Sequence, residues 1–103
     1  SLEELVAQGE KVYQKSCLAC HGANGEGGVG KAIANSPVAT GDLKHHLDVV
    51  ANGVPATAMQ AFGGQLNDLD LAAVVTYQRN AFGNNMGDVV QAIDVKNFKE
   101  GAK

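Results

Sequence analysis

Cys17-Leu18-Ala19-Cys20-His21 is the stretch from which the rest of the chain is read. Two cysteines three positions apart, with histidine directly after them, form the pattern by which a haem is attached covalently. The spacing has a chemical reason. Each thiol adds across one vinyl group of a porphyrin, so both sulfurs must lie on one side of a short turn. The imidazole that follows stands where it can reach the iron as an axial ligand. Cys17 and Cys20 are therefore the candidate thioether positions, and His21 the candidate proximal ligand.

Other uses of these residues fit the chain less well. A structural zinc site usually takes two Cys pairs, or a Cys pair with a spaced His pair. Here Cys17 and Cys20 are the only cysteines, and the remaining histidines, His45 and His46, are adjacent. A redox-active dithiol would sit beside a βαβ pattern, and no alternating β-branched run lies near Cys17. A plain disulfide would leave His21 unexplained.

With 103 residues, the chain is expected to form a single domain over 1–103, since domains run to roughly 100–150 residues. A chain of this length makes a thin core, to which a buried porphyrin would add apolar mass. There is no Trp, with three Phe, two Tyr and thirteen Gly, which suits a shell of short helices wrapped on a cofactor. The expected fold class is all-α. The net charge of −3, made more negative by haem propionates, lacks the basic footprint of a nucleic-acid binder. Long-range electrostatics favour a basic protein partner, although a local patch can oppose the net sign. No apolar run approaches the roughly 20 residues needed to span a bilayer. No basic-then-apolar leader precedes the motif. Because covalent haem is attached outside the cytoplasm in bacteria, the expectation is a periplasmic mature product or an excised domain of a tethered protein.

Leu2, Leu5, Val6, Gly9, Val12 and Tyr13 recur at helical spacing and predict an amphipathic helix over 2–16 that delivers Cys17. Glu3 and Glu4 suit its first turn. Gly9 costs about 1 kcal/mol against alanine inside a helix; it reads as a close helix crossing, the plain alternative being a tolerated surface glycine. Residues 22–32 form a glycine-rich loop that no strand precedes and no Gly-Lys-Ser/Thr closes, so it is not a phosphate cradle. A carbonyl in this loop is expected to accept the His21 Nδ1 proton, which fixes the ring and raises its basicity. Ile33, Pro37 and Val38 continue an irregular segment suited to covering the haem.

A second helix is expected at about 42–52, with Leu43, Leu47 and Val50 inward and Gly53 as its stop. His45 lies well away from that face and His46 nearer its edge. As ligands either would make a bis-histidine haem, but they read as surface histidines. The loop 53–64 carries Met59 and Phe62. Met59 is the candidate sixth ligand, its thioether reaching the open side of the iron; the alternative is that it fills the core. Met86, among Asn84, Asn85 and Gly87, is the weaker candidate. Asn67 reads as an N-cap to a last helix over about 68–82 that ends at Gly83, placing Ala73 and Tyr77 to meet Gly9 and Tyr13. The tail, 84–103, shows weak periodicity and is expected to pack as an extended strap with a loose end.

The pattern Gly9-x3-Tyr13-x3-Cys17-x2-Cys20-His21, a methionine loop and an aromatic-bearing final helix resembles class I c-type cytochromes over nearly the whole chain. The resemblance implies a small all-helical fold around one covalent haem c. It also implies first and last helices crossing at the glycine, and His21 and Met59 as axial ligands. A narrower resemblance is carried by Thr57-Ala-Met-Gln-Ala-Phe-Gly-Gly-Gln-Leu66, Ala72-Ala-Val-Val-Thr-Tyr-Gln-Arg-Asn-Ala-Phe-Gly-Asn84 and Gly87-Asp-Val-Val-Gln91. These look like the C-terminal cytochrome c domain of subunit II of bacterial haem-copper oxidases, without its copper domain. Two positions depart from related cytochromes. Gly30-Lys31-Ala32-Ile33 stands where a proline often supports the proximal histidine, and Gln60 stands where proline often follows the methionine. The implied function is one-electron transfer from a cytochrome donor toward the dinuclear copper centre of an oxidase, with no catalysis of its own. A freestanding periplasmic shuttle is the alternative. A gas sensor or peroxidase would need an open sixth site, and no distal Arg-His pair is apparent.

Overall fold

The computed structural model describes residues 1–101, and its regular structure is helical, with no strand among the described residues. Five helices follow one another: α1 (Leu2–Ser16), α2 (Leu18–His21), α3 (Leu43–Asn52), α4 (Asp68–Asn80) and α5 (Ala92–Gly101).

α1 begins with a reciprocal capping box. The Ser1 hydroxyl accepts from Glu4 N–H while the Glu4 carboxylate accepts from the Ser1 amine, removing donors that a helix start leaves orphaned. Glu3 and Glu4 in the first turn and Lys15 in the last oppose the macrodipole. Gly9, Val12 and Tyr13 form the buried face and pack on α4, the most extensive helix pairing in the molecule. The expected crossing is present: a Cβ on Gly9 would collide with the Ala73 carbonyl oxygen. One turn further on, Tyr13, Tyr77 and Phe82 form a three-ring cluster with centroids 5.3–5.4 Å apart in tilted and edge-on arrangements, each such pair contributing about 0.5–1.5 kcal/mol beyond area burial.

α4 is the axis of the fold. Asn67 caps it by accepting from Asp70 N–H at 2.7 Å, as expected, and every residue from Leu71 to Arg79 is buried. A helix covered on all sides has no solvent stripe, and its polar members need partners. α4 stops at Asn80, two residues before the expected end, because Ala81 turns to extended backbone and Phe82 adopts a left-handed φ of 59°.

α3 opens on Asp42, whose carboxylate accepts from His45 N–H, and closes on Gly53 at φ 71°. Leu47 and Val50 face the core as expected, and Leu43 packs at its edge. His46 corrects the surface reading: it is 2% exposed, while His45 is exposed.

The tail also departs from the expected strap. Residues 84–91 are irregular, but Ala92–Gly101 is helical, with Val90 and Val95 fully buried. The Asp94 carboxylate accepts from Gln91 N–H at the start of α5, and Lys99 bonds Asp68 at 2.7 Å and the Gly63 carbonyl at 3.0 Å. The expected loose end, 102–103, lies outside the described residues.

Candidate functional site

Cys17 ends α1, its N–H donating to Tyr13 O at 2.8 Å, and the chain turns at once into the single turn of α2. The short turn that the motif requires is thus helical, and it puts Cys17, Cys20 and His21 on one compact element closed by His21 N–H to Cys17 O at 3.0 Å. Neither cysteine is in a disulfide. Cys17 is 8% exposed. Burial first, and then the neighbouring Cys20, push its thiol up to about 11, so it is a neutral, apolar group at neutral pH. No three His, Cys, Asp or Glu side chains gather into a metal-holding group among the described residues.

The His21 ring is aimed by the glycine-rich loop. Its Nδ1 lies 2.6 Å from Lys31 O. A carbonyl can only accept, so Nδ1 carries the proton and Nε2 keeps the lone pair a metal would use. The expected loop carbonyl thus exists and belongs to Lys31. The loop is folded back by Gly27 N–H to His21 O at 2.7 Å and Gly30 N–H to Cys20 O at 2.8 Å. Gly30 must lack a side chain, because a Cβ there would lie 2.8 Å from His21 Cε1.

Two further residues brace this turn that the sequence did not announce. The Tyr13 hydroxyl donates to Gly22 O at 2.6 Å, and burial, with lesser contributions from Cys17, Tyr77 and Glu26, pushes its pKa up to about 12. The Glu26 carboxylate accepts from Asn24 N–H and folds over Gly22, its pKa lowered by backbone donors of Glu26 and Asn24. The residue types were visible; nothing in their spacing pointed to these contacts.

Met59 is half-buried and packs against the core cluster that also holds Cys17, Phe62 and Leu71, together with Leu18, Ile33 and Leu66. Met86 is 40% exposed and outside that cluster. The methionine loop is tied on both sides of its methionine. Val54 N–H donates to Met59 O, Thr57 Oγ1 accepts from Met59 N–H, and the Thr57 hydroxyl donates to Val54 O. Phe62 N–H and Gly63 N–H then dock the loop end on Val50 O and Ala51 O of α3.

The remaining histidines are not placed as ligands. His45 is on the surface. His46 is occupied at both nitrogens, with Gln78 Oε1 2.7 Å from Nε2 and Arg79 Nη1 3.3 Å from Nδ1. Arginine can only donate, so Nδ1 accepts and Nε2–H donates. Arg79 in turn pairs with Asp88 at 2.7 Å and donates to Gly41 O. Burial is the main cause that lowers the His46 pKa to about 4. This network locks α3, α4 and the segment after α4 together.

The donor set fits a haem held by two sulfurs and one imidazole. The thiols are unjoined, one is in an apolar setting, and the imidazole has its Nδ1 proton committed to a carbonyl. A thioether stands in the same core.

Comparisons with known proteins agree. The family described as "Cytochrome C oxidase, cbb3-type, subunit III" matches residues 4–77. The chain is 38% identical over 71 residues to a dihydro-heme d1 dehydrogenase of Pseudomonas aeruginosa, covering 69% of this chain and 14% of that protein. It is 33% identical over 103 aligned positions to the cytochrome c subunit of a quinone-type alcohol dehydrogenase of Gluconobacter oxydans, covering 88% of this chain and 22% of that subunit. It is 34% identical over 77 residues to a cytochrome c6 of Diacronema lutheri, covering 70% of this chain and 90% of the relative. The chain thus spans 14% and 22% of the length of the first two relatives. No described helix is long and apolar enough to cross a membrane. The specific likeness to oxidase subunit II is not among these findings. With its all-helical fold and a cofactor that such membership implies to be covalently bound haem c, the chain belongs to the cytochrome c family of electron-transfer proteins, in the group described for the cbb3-type oxidase subunit.

Proposed function

We propose that Cys17 and Cys20 form the haem thioethers, that His21 and Met59 are the axial ligands, and that residues 1–103 act as one electron-transfer domain. The observation that carries this reading is the 2.6 Å bond from His21 Nδ1 to Lys31 O, which presents Nε2 as the free imidazole nitrogen. Bound haem c supplies a one-electron iron couple, and thioether ligation raises its potential relative to two imidazoles. The chain's part is to hold the ligands still. Lys31 O fixes the imidazole plane, Thr57 and Val54 close the methionine loop, and α3 anchors the loop end. Ligands that stay in place between oxidation states keep reorganisation small. The loop residues flanking Met59, Val54 to Ala58, are exposed and uncharged, which suits a small, transient interface with a partner.

Within that role, the domain relays electrons from a cytochrome donor toward the dinuclear copper centre of a terminal oxidase, on the periplasmic side of a larger, membrane-tethered protein. The resemblance of residues 53–91 to the subunit II domain supports this reading, and membership in a family named for a cbb3-type oxidase subunit supports its oxidase context alone. A second reading, a freestanding periplasmic shuttle, is favoured by the match to 90% of the length of a cytochrome c6. Stopped-flow mixing separates them. The ferrous haem-bound protein is mixed with an oxidised dinuclear-copper domain and, separately, with soluble oxidised cytochromes. The relay predicts rapid, saturable oxidation by the copper domain. Slow reaction there with fast exchange among soluble cytochromes supports the shuttle, and ready carbon monoxide binding by the ferrous protein contradicts both.

A further inference from the structure

Asn84, just past α4, reaches across the molecule to the segment that carries the proximal carbonyl. Its Oδ1 accepts from Asn35 N–H at 2.7 Å, and its Nδ2 donates to Ile33 O at 3.0 Å and to Gln78 O at 2.8 Å. The amide orientation follows from chemistry, since only oxygen can face an N–H and only nitrogen can face two carbonyls. One side chain therefore bridges the last turn of α4 and two backbone groups of residues 33–35, the closer of which lies two residues beyond Lys31.

The same segment is anchored on its other side by Ile33 N–H and Ala34 N–H, both donating to Gly25 O. The Phe82 ring lies against Gly25: a Cβ there would be 2.6 Å from Phe82 Cδ2. Three non-glycine residues at this junction hold left-handed backbone, Asn35 at φ 57°, Phe82 at 59° and Asn85 at 48°. Such conformations are costly for a residue like Phe and persist where the surroundings impose them. Lys31 and Ala32 themselves are exposed, and neither has a ring to fix its backbone. The rigidity of the carbonyl that faces His21 must come from its flanks.

We infer that Asn84 is a positioning residue for the proximal ligand: by clamping Ile33 and Asn35 to the end of α4, it holds Lys31 O against His21 Nδ1. The inference rests on the reading of His21 as that ligand. A tighter Nδ1–H···O bond makes imidazole a stronger donor, which favours ferric iron and lowers the potential. Loosening the clamp raises the potential and exposes the Nδ1 proton to solvent.

Asn80 provides the control. It makes a similar set of bonds at the same helix end, with Nδ2 to Thr76 O and Asp88 O and Oδ1 from Gly87 N–H, and none of these bonds reaches residues 22–35. The experiment compares haem-bound wild type, Asn84→Ala, Asn84→Asp and Asn80→Ala by NMR exchange of the His21 Nδ1 proton and by redox titration. Asn84→Asp keeps the acceptor for Asn35 N–H and loses both donations, so it reports on the clamp if the alanine variant fails to assemble. The expected result is Nδ1 exchange roughly 5-fold faster or more in the Asn84 variants, the factor a bond of ordinary strength is worth, with a raised midpoint potential and an unchanged Met59 spectrum. Asn80→Ala loses stability and keeps wild-type exchange and potential. Equal exchange and potential in the Asn84 variants and wild type, or equal shifts in Asn80→Ala, overturn the inference and leave His21 ligation standing. A wild-type His21 Nδ1 proton without a hyperfine shift in the ferric protein overturns the ligand reading itself, and the inference with it.

Discussion

Gly9 and Ala73 meet backbone to backbone where α1 crosses α4, so closely that a Cβ at residue 9 would run into the Ala73 carbonyl oxygen and sit 2.6 Å from Tyr77 Cβ. Alanine recovers about 1 kcal/mol of helix propensity at such a position, but overpacking against a backbone atom that cannot rotate away costs about 1–3 kcal/mol. Gly9→Ala is therefore expected to destabilise the haem-bound protein by up to about 2 kcal/mol. Guanidinium titration should show a lower midpoint at unchanged slope. A midpoint equal to wild type would mean the crossing has slack that the structure does not show.

The buried His46 gives the protein an acid-labile point. Burial holds its pKa near 4 in the fold against an ordinary 6.5, with Arg79 and His45 lowering it further and Gln78 and Asp88 partly offsetting them. Above pH 6.5 the group is neutral in both states and contributes nothing to the pH dependence. As pH falls from 6.5 toward 4, the unfolded chain takes up a proton the native chain refuses, and stability drops by an amount on the order of 3 kcal/mol. Denaturant midpoints between pH 7 and 4 measure this slope against other groups. His46→Gln, which cannot titrate, is expected to lose that part of it.

Much of the architecture was readable in the sequence because it rests on local rules. The Gly9 and Tyr13 spacing, the Asn67 cap and the stop at Gly53 are all found where pattern and capping place them. His46 was misread because it sits at the edge of the α3 stripe and its burial depends on Gln78 and Arg79, which are 32 and 33 residues away. α5 was missed for a related reason. Its apolar residues are sparse, and only Val95 is buried in it, so the helix is held by Lys99, Asp94 and the contact with α4 rather than by its own periodicity. At the site, the proposed thioether residues and proximal ligand come from Cys-x-x-Cys-His, whereas Lys31 could be foreseen only as some carbonyl of the loop.

Thr76 shows how the post-helix segment is fastened. Its fully buried hydroxyl shares its hydrogen between Ala72 O at 2.8 Å and Val90 O at 3.1 Å, and accepts from Val90 N–H at 3.0 Å. Thr76→Val keeps the shape and strands both backbone groups of Val90. The expected cost is about 1–3 kcal/mol, with faster amide exchange at Val90. Unchanged exchange would show that another partner takes over.

The two proposed thioether positions, Cys17 and Cys20, are separable. Cys20→Ser is expected to leave haem attached through Cys17 alone, with visible bands moved to the red because one vinyl group stays conjugated. Cys17→Ser should behave in the mirror sense, and the double variant should release its haem to acidified organic solvent. Haem that stays bound through extraction of the double variant would contradict the assignment.

The most direct test of the central claim is the optical spectrum of the oxidised haem-bound protein, read in the far red for the weak sulfur-to-iron charge-transfer band of a His/Met pair. The account predicts that the band is present in wild type and in Met86→Ala, and absent in Met59→Ala, whose midpoint potential falls and whose ferrous form binds carbon monoxide. A band that survives in Met59→Ala, or a wild-type protein that lacks it and binds carbon monoxide readily, would contradict the closed-site electron carrier.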